Sequence, residues 1–217
     1  MTVYHVEILL FENFETLDVF GPVEILGGLP DLFKLHFVSL QGGLVKSTQG
    51  VPVQTEKYHA VKDQDNHQNT PQKIIKLIPG GAGTRDLACD SEFIAFIKAF
   101  AVDATYILSV CTGAALLAKA EILDGKKATS NKRAFEWVTT QSSDVNWIKK
   151  SRWVQDGHIF TSSGISAGID MTLGFIETLF GREEALKISN RFEYTWHEDS
   201  EYDPFAELYP FTASHEL

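Results

Sequence analysis

Cys111 stands where an apolar run, Tyr106 to Val110, passes without a spacer into Thr112-Gly113-Ala114-Ala115. A buried strand that turns at once into a helix of small residues makes a nucleophile elbow, which pushes the side chain between them out at the carboxyl edge of a sheet. A thiol there is suited to nucleophilic attack. A helix N-terminus beside sulfur favours the thiolate, so a lowered cysteine pKa is expected. Free cysteines more often serve as small buried hydrophobes, but the elbow position favours chemistry over that role. The backbone N–H of Thr112 points towards whatever Cys111 attacks. Gly80 and Gly81, at the end of the apolar run Lys73 to Ile78, are placed to offer a second donor to developing negative charge, with Thr112 completing an anion hole. The competing reading of Pro79-Gly80-Gly81 is a plain turn.

A thiol nucleophile needs a proton partner, commonly histidine. None of the seven histidines lies near Cys111 in sequence: His5 and His36 fall in strands, His59 and His67 in or beside a polar stretch, and His158 in a hairpin. A carboxylate is the better candidate. Asp18 follows the first strand, whose carboxyl end brings it to the same edge as Cys111. Its apolar neighbours Leu17, Val19 and Phe20 predict burial, a raised pKa and a protonated form able to share a proton with sulfur. Glu15 is the competitor, and a helix-capping role for Thr16 or Asp18 is the bland alternative. Cys89, ahead of Asp90-Ser91, is expected to be structural or incidental. Gly81 to Asp86 lacks the third glycine of a dinucleotide loop and any phosphate-loop lysine. Trp137, Trp147 and Trp153 read as core or dimer surface.

The elements that must position these residues follow from hydrophobic patterning. Val3 to Phe11, Phe33 to Leu40, Lys73 to Ile78 and Tyr106 to Val110 read as strands. Helical spacing runs over Thr16 to Leu26, with a kink or turn expected at Gly21-Pro22, and over Ser91 to Phe100, Thr112 to Ala120, Arg133 to Thr139, Ser166 to Phe180 and Arg182 to Phe192. Ser166 is the expected cap of its helix. Leu44 to Lys46 with Val51 to Thr55 predict a small hairpin, and Asp156-Gly157 joins a second between Trp153 to Gln155 and His158 to Thr161. The polar stretch Lys62 to Gln72 is expected to be a surface loop. Strands alternating with helices imply a parallel sheet covered on both faces.

At 217 residues the chain is long enough for one α/β domain that buries roughly 70% of its unfolded surface. With 44% hydrophobic and 22% charged residues, disorder and fibrous classes are excluded. Nineteen basic residues face twenty-nine acidic ones, a net charge of −10, and no basic cluster stands out, so nucleic acid is not an expected partner. No apolar stretch reaches the ~20 residues that span a bilayer. The opening residues lack a basic segment followed by an apolar one, so the cytosol is the expected location. Cys89 and Cys111 form neither a disulfide framework nor a metal-ligand pair. No metal or organic cofactor is expected.

Five stretches, in order, resemble the ThiJ/PfpI superfamily: Asp18 to Glu24, Ile78-Pro79-Gly80-Gly81, Val110-Cys111-Thr112-Gly113-Ala114, Leu123 to Thr129, and Thr161 to Asp170. The resemblance covers nearly the whole chain and implies one domain over residues 1–217, with 193–217 as a C-terminal tail. It implies a flavodoxin-like three-layer α/β sandwich with a mostly parallel central sheet, as a homodimer. Within the superfamily the chain is most similar to isocyanide hydratases and to the ligand-binding half of certain AraC-type regulators, which share Cys-Thr-Gly at the elbow. Protease-like and glyoxalase-like members carry His after the cysteine, where this chain has Thr112. The resemblance implies catalytic roles for Cys111, Thr112 and Asp18, and a small-molecule substrate hydrated through a covalent thioimidate. Oxidation of Cys111 in a stress-protective role, or small-molecule binding in a regulator, are the alternative functions. One departure concerns the substrate: the Ala-Thr-Thr-His-Trp string of those enzymes reads Ala128-Thr129-Ser130-Asn131-Lys132 here.

Overall fold

The computed structural model describes residues 2–59 and 73–209. The polar stretch Lys62 to Gln72 lies outside the described residues. Among the described residues, strands and helices follow one another as β1 (Tyr4–Leu9), α1 (Thr16–Gly27), β2 (Phe33–Ser39), β3 (Gly43–Lys46), β4 (Pro52–Lys57), β5 (Lys73–Ile78), α2 (Thr84–Leu87), α3 (Ser91–Ala101), β6 (Tyr106–Val110), α4 (Gly113–Lys119), β7 (Lys127–Ala128), α5 (Phe135–Thr139), β8 (Asn146–Trp147), β9 (Trp153–Asp156), β10 (Ile159–Ser162), α6 (Ala167–Phe180) and α7 (Arg182–Arg191). Eight strands form one sheet in the order β3-β4-β2-β1-β5-β6-β10-β9. Its interior pairs are parallel, and only β3–β4 and β9–β10 at the two edges are antiparallel. Helices α1, α6 and α7 cover one face, and α2, α3 and α4 the other. The expected mostly parallel, flavodoxin-like sandwich is what the chain forms.

The central strands are buried on both faces, which is why they read as continuous apolar runs. In β5 every residue after Lys73 is buried, including Lys76. A buried ammonium is tolerable only when paired. Lys76 sits in register opposite Glu7 of β1 and forms ion pairs with Glu7 at 2.5 Å and Asp103 at 2.9 Å.

The order of strands places the site. The chain adds β2 on one side of β1 and β5 on the other, so the loops leaving the carboxyl ends of β1 and β5 part at a topological switch point, where ligands bind in open α/β sheets. Phe14, fully buried in the β1–α1 connection, bridges to Gly81 beyond β5 and ties the two loops together.

Two expectations are corrected, and the small hairpin forms as expected but reaches further. Helix α1 runs through Gly21-Pro22 without a break. These residues serve close packing instead. A side chain at Gly21 would meet Ile169 of α6 at 2.8 Å, and one at Gly168 would meet Val110 at 2.9 Å and Pro22 at 3.6 Å. Ser166 precedes α6 but its side chain makes no capping hydrogen bond. The second strand of the predicted hairpin extends to Lys57 and joins the main sheet in parallel with β2, so β3 and β4 form its edge.

Candidate active site

Asp18, Gly80, Gly81, Cys111 and Thr112, which lie far apart in the chain, meet at the carboxyl ends of β1, β5 and β6. Cys111 follows β6 directly with φ +57°, left-handed backbone that a side chain rarely adopts. Neighbouring groups hold it there. Its N–H donates to the carbonyls of Ser162 at 3.2 Å and Ser163 at 3.3 Å, and its own carbonyl accepts from Ser130 Oγ at 2.6 Å. Gly113 lets the elbow approach β5, since a side chain there would lie 2.5 Å from the Ile78 carbonyl oxygen.

Asp18 occupies the first turn of α1 and is fully buried. Its Oδ2 accepts from the Gly80 N–H at 2.9 Å, while Oδ1 is buried without a well-aligned partner. The carboxyl and the Cys111 thiol are near enough for each to shift the other's titration. Burial pushes Asp18 well above the ordinary carboxylate range, outweighing the Gly80 hydrogen bond that favours ionisation. Glu15, the competing carboxylate, accepts from Gln49 Nε2 at 2.7 Å and acts on Asp18 only as a distant like charge.

The thiol corrects the expectation of a lowered pKa. Cys111 is buried, and burial pushes its pKa well up, with the Asp18 charge acting in the same direction. Hydrogen bonds from the Thr112 N–H and hydroxyl favour the thiolate but do not offset these effects. Helix α4 is only seven residues long, so its terminus adds little. Both shifts favour the neutral forms, a thiol beside a carboxylic acid. Because Gly80 donates to Oδ2, the carboxyl proton belongs on Oδ1.

The two glycines differ from the expected free donors. The Gly80 N–H is committed to Asp18, and the Gly81 N–H donates to Thr112 Oγ1 at 3.0 Å. Thr84 shares that hydroxyl at 3.0 Å and donates to the Gly81 carbonyl at 2.7 Å. The turn after β5 therefore orients Asp18 and Thr112. Only glycine fits at position 80: a side chain would lie 2.5 Å from the Thr112 nitrogen and 2.9 Å from Asp18 Oδ2.

Two neighbours of the thiol were not legible as site residues. A side chain on Gly164, in the loop before α6, would lie 2.9 Å from Cys111 Sγ and 2.1 Å from Asn131 Nδ2. Asn131 Oδ1 accepts from the Ala134 N–H at 3.0 Å, which turns Nδ2 towards Gly164 and the sulfur. Asn131 was visible in the sequence only as a departure from a motif, and Gly164 as one glycine among several. Gly164→Ala is expected to displace Asn131 and cover the sulfur. The rate of maleimide addition to Cys111, followed by mass spectrometry of its peptide, should fall about tenfold or more.

Beside Asn131, Lys132 is buried and donates to Thr129 Oγ1, the Ser130 carbonyl and the Ser151 carbonyl at 2.8, 3.2 and 2.6 Å. Burial lowers its pKa to about 8, against the opposing pull of Asp203. Lys132 thereby holds the segment whose Ser130 hydroxyl braces the elbow. The remaining sequence candidates stand elsewhere. Cys89 is exposed, and His5 pairs with His36 at 3.2 Å on β1 and β2. Among the described residues no cluster of His, Cys, Asp or Glu is placed to hold a metal ion, and no helix is long and apolar enough to cross a membrane.

A flavodoxin-like sandwich with a strained cysteine at the β6–α4 elbow, and a buried carboxyl beside it, defines a class of thiol-centred α/β proteins. The chain belongs to the DJ-1/PfpI family, whose model matches residues 4–178. It is 33% identical over 186 residues to an isonitrile hydratase of Pseudomonas putida, covering 86% of this chain and 76% of that protein. General stress protein 18 of Bacillus subtilis is 45% identical over a shorter span, 41% of this chain and 49% of that protein. Among solved structures, a THiJ/PfpI family protein from Pseudomonas syringae superposes with a TM-score of 0.74 at 26% identity, covering 99% of this chain and 80% of that one.

Proposed function

We propose that this protein is a cysteine-dependent hydratase that adds water to a small isocyanide. The observation that carries the reading is the buried pair itself: a carboxyl with one oxygen fixed by Gly80 and the other without a hydrogen-bond partner, acting electrostatically on the buried Cys111 thiol. Similarity to the Pseudomonas putida isonitrile hydratase supports the choice of substrate class.

The terminal carbon of an isocyanide accepts both a nucleophile and a proton, so a thiol and an acid on one side of it suffice. Cys111 sulfur bonds to that carbon while the Asp18 acid protonates the same carbon. The thiol proton returns to the Asp18 carboxylate, and the product is a thioimidate. Water then adds across the C=N bond, its oxygen to carbon and a proton to nitrogen. The C–S bond breaks, the hydroxyl proton returns to sulfur, and an N-substituted formamide leaves with the thiol regenerated. Asp18 carries protons in both halves, as a general acid and base whose raised pKa favours the proton-bearing form. Thr112 steadies the sulfur through its N–H and hydroxyl. The chemistry needs neither metal nor organic cofactor.

Burial of Cys111 and its raised pKa weigh against oxidation as its primary role, because oxidant-sensing thiols are exposed and low in pKa. A panel of isocyanides and aldehydes separates the readings. Formamide should appear by mass spectrometry with one or more isocyanides and not with Cys111→Ala. Absence of formamide across the panel, with selective dioxygenation of Cys111 under mild peroxide, would refute the hydratase and favour the stress-protective reading.

A further inference from the structure

The family model ends at residue 178, yet the chain continues through α7 into an extended stretch, 193–209, without helix or strand. Charge and hydrogen bonds anchor that stretch. Asp203, 1% exposed, sits between Lys132 at 3.6 Å and Arg152 at 3.7 Å, and its N–H donates to the Lys150 carbonyl at 2.7 Å. Upstream, Asp170 of α6 accepts from Tyr194 Oη at 2.9 Å and the His197 N–H at 3.0 Å, while the Arg152 N–H donates to the Ser200 carbonyl at 2.8 Å. Asp203 Oδ1 also accepts from the Phe205 N–H at 3.1 Å, which sets the turn that follows.

The anchored stretch ends over the site. Phe205 and Tyr209 line a cavity of about 500 Å³ together with Leu17 of α1, Ile165, Gly164 and Asn131. At its Gly164 edge the cavity adjoins the thiol, since a side chain there would meet Cys111 Sγ at 2.9 Å. The four larger apolar side chains are 39 to 46% exposed and face one concavity, which gathers their uncovered apolar surface in one place. The volume suits a small organic ligand.

We propose that residues 193–209 act as a specificity element, with Phe205 and Tyr209 facing Leu17 and Ile165 to receive a bulky apolar substituent, such as an aromatic or alicyclic ring, of the molecule whose reactive carbon meets Cys111. This rests on the reading of Cys111 as the nucleophile. The segment lies outside the residues that the family model matches, so its pocket wall is an addition to the shared core. Asp203 is a positioning residue: it fixes the wall and, through Lys132, the segment that carries Asn131.

Binding of N-benzylformamide and N-methylformamide to the full-length protein, measured by calorimetry or NMR titration, tests the proposal without relying on turnover. The benzyl compound is expected to bind about tenfold more tightly or better, the scale of an apolar group gained in a hydrophobic pocket. Phe205→Ala and Tyr209→Ala should each reduce that ratio several-fold, while Phe205→Leu keeps most of it and thermal melting shows all three folded. Equal binding of the two amides, no detectable binding of either, or a ratio that survives both alanine variants would overturn the proposal. Failure to hydrate isocyanides, with the ratio intact, would sink the hydratase reading and leave this one standing.

Discussion

Cys111→Gly and Cys111→Ala are both expected to lose formamide production by about four orders of magnitude, since no other group in the site supplies a nucleophile. Their stabilities should differ in an unusual sense. In ordinary buried positions glycine is less stable than alanine by about 0.5–1 kcal/mol, because its unfolded chain has more freedom to lose. Cys111 has φ +57°, where the Cβ of any L-residue crowds the backbone at a cost of about 1–2 kcal/mol. The glycine variant is therefore expected to be more stable than the alanine variant by about 1 kcal/mol, a difference readable by urea denaturation. The opposite order would show that the elbow is not strained. Residual turnover within a hundredfold of wild type in either variant would remove sulfur from the mechanism.

Asp18→Asn is expected to lower kcat by about a thousandfold while making the protein more stable at alkaline pH. The amide keeps an acceptor for the Gly80 N–H but has no acidic proton to give the substrate. The stability effect follows from the direction of the pKa. The folded carboxyl is raised by burial, so its favourable contribution is complete below its unfolded value of about 3.9 and is lost as pH rises through the folded value. Asparagine does not titrate. The melting temperatures of the two proteins should diverge from about pH 4 upwards, with the variant ahead by about 1–2 kcal/mol once wild-type Asp18 is forced to ionise in its buried site. Parallel stability curves across pH would mean that Asp18 keeps an ordinary pKa and is not the acid. Unchanged kcat would show that the proton comes from elsewhere.

Much of the framework was legible because its signals are local. The apolar runs of β1, β5 and β6 must be strands buried on both faces, and Cys111 falls between such a run and small helical residues. Asp18 was legible as a candidate from its apolar neighbours just after a strand, although its neighbour Leu17 is itself 41% exposed and the burial of Asp18 comes from the packed site. Pro22 shows the limit of local rules. The residue that predicts a break lies inside α1, where packing against α6 holds the helix intact. Asn131 and Gly164 carry no local signal, because what matters is that each lies within reach of Cys111 across loops separated by dozens of residues.

The amino-acid sequence by itself determined the alternation of strands and helices and the place of Cys111 at the elbow, since these follow from hydrophobic period and side-chain type over short windows. Tertiary structure alone decided the direction in which burial shifts Asp18 and Cys111, the commitment of the Gly80 and Gly81 N–H groups to Asp18 and Thr112, and the return of the C-terminal stretch to the cavity. Burial is summed over every element packed around a group. A thiol that a neighbouring helix terminus would help to ionise is instead kept neutral by the rest of the fold.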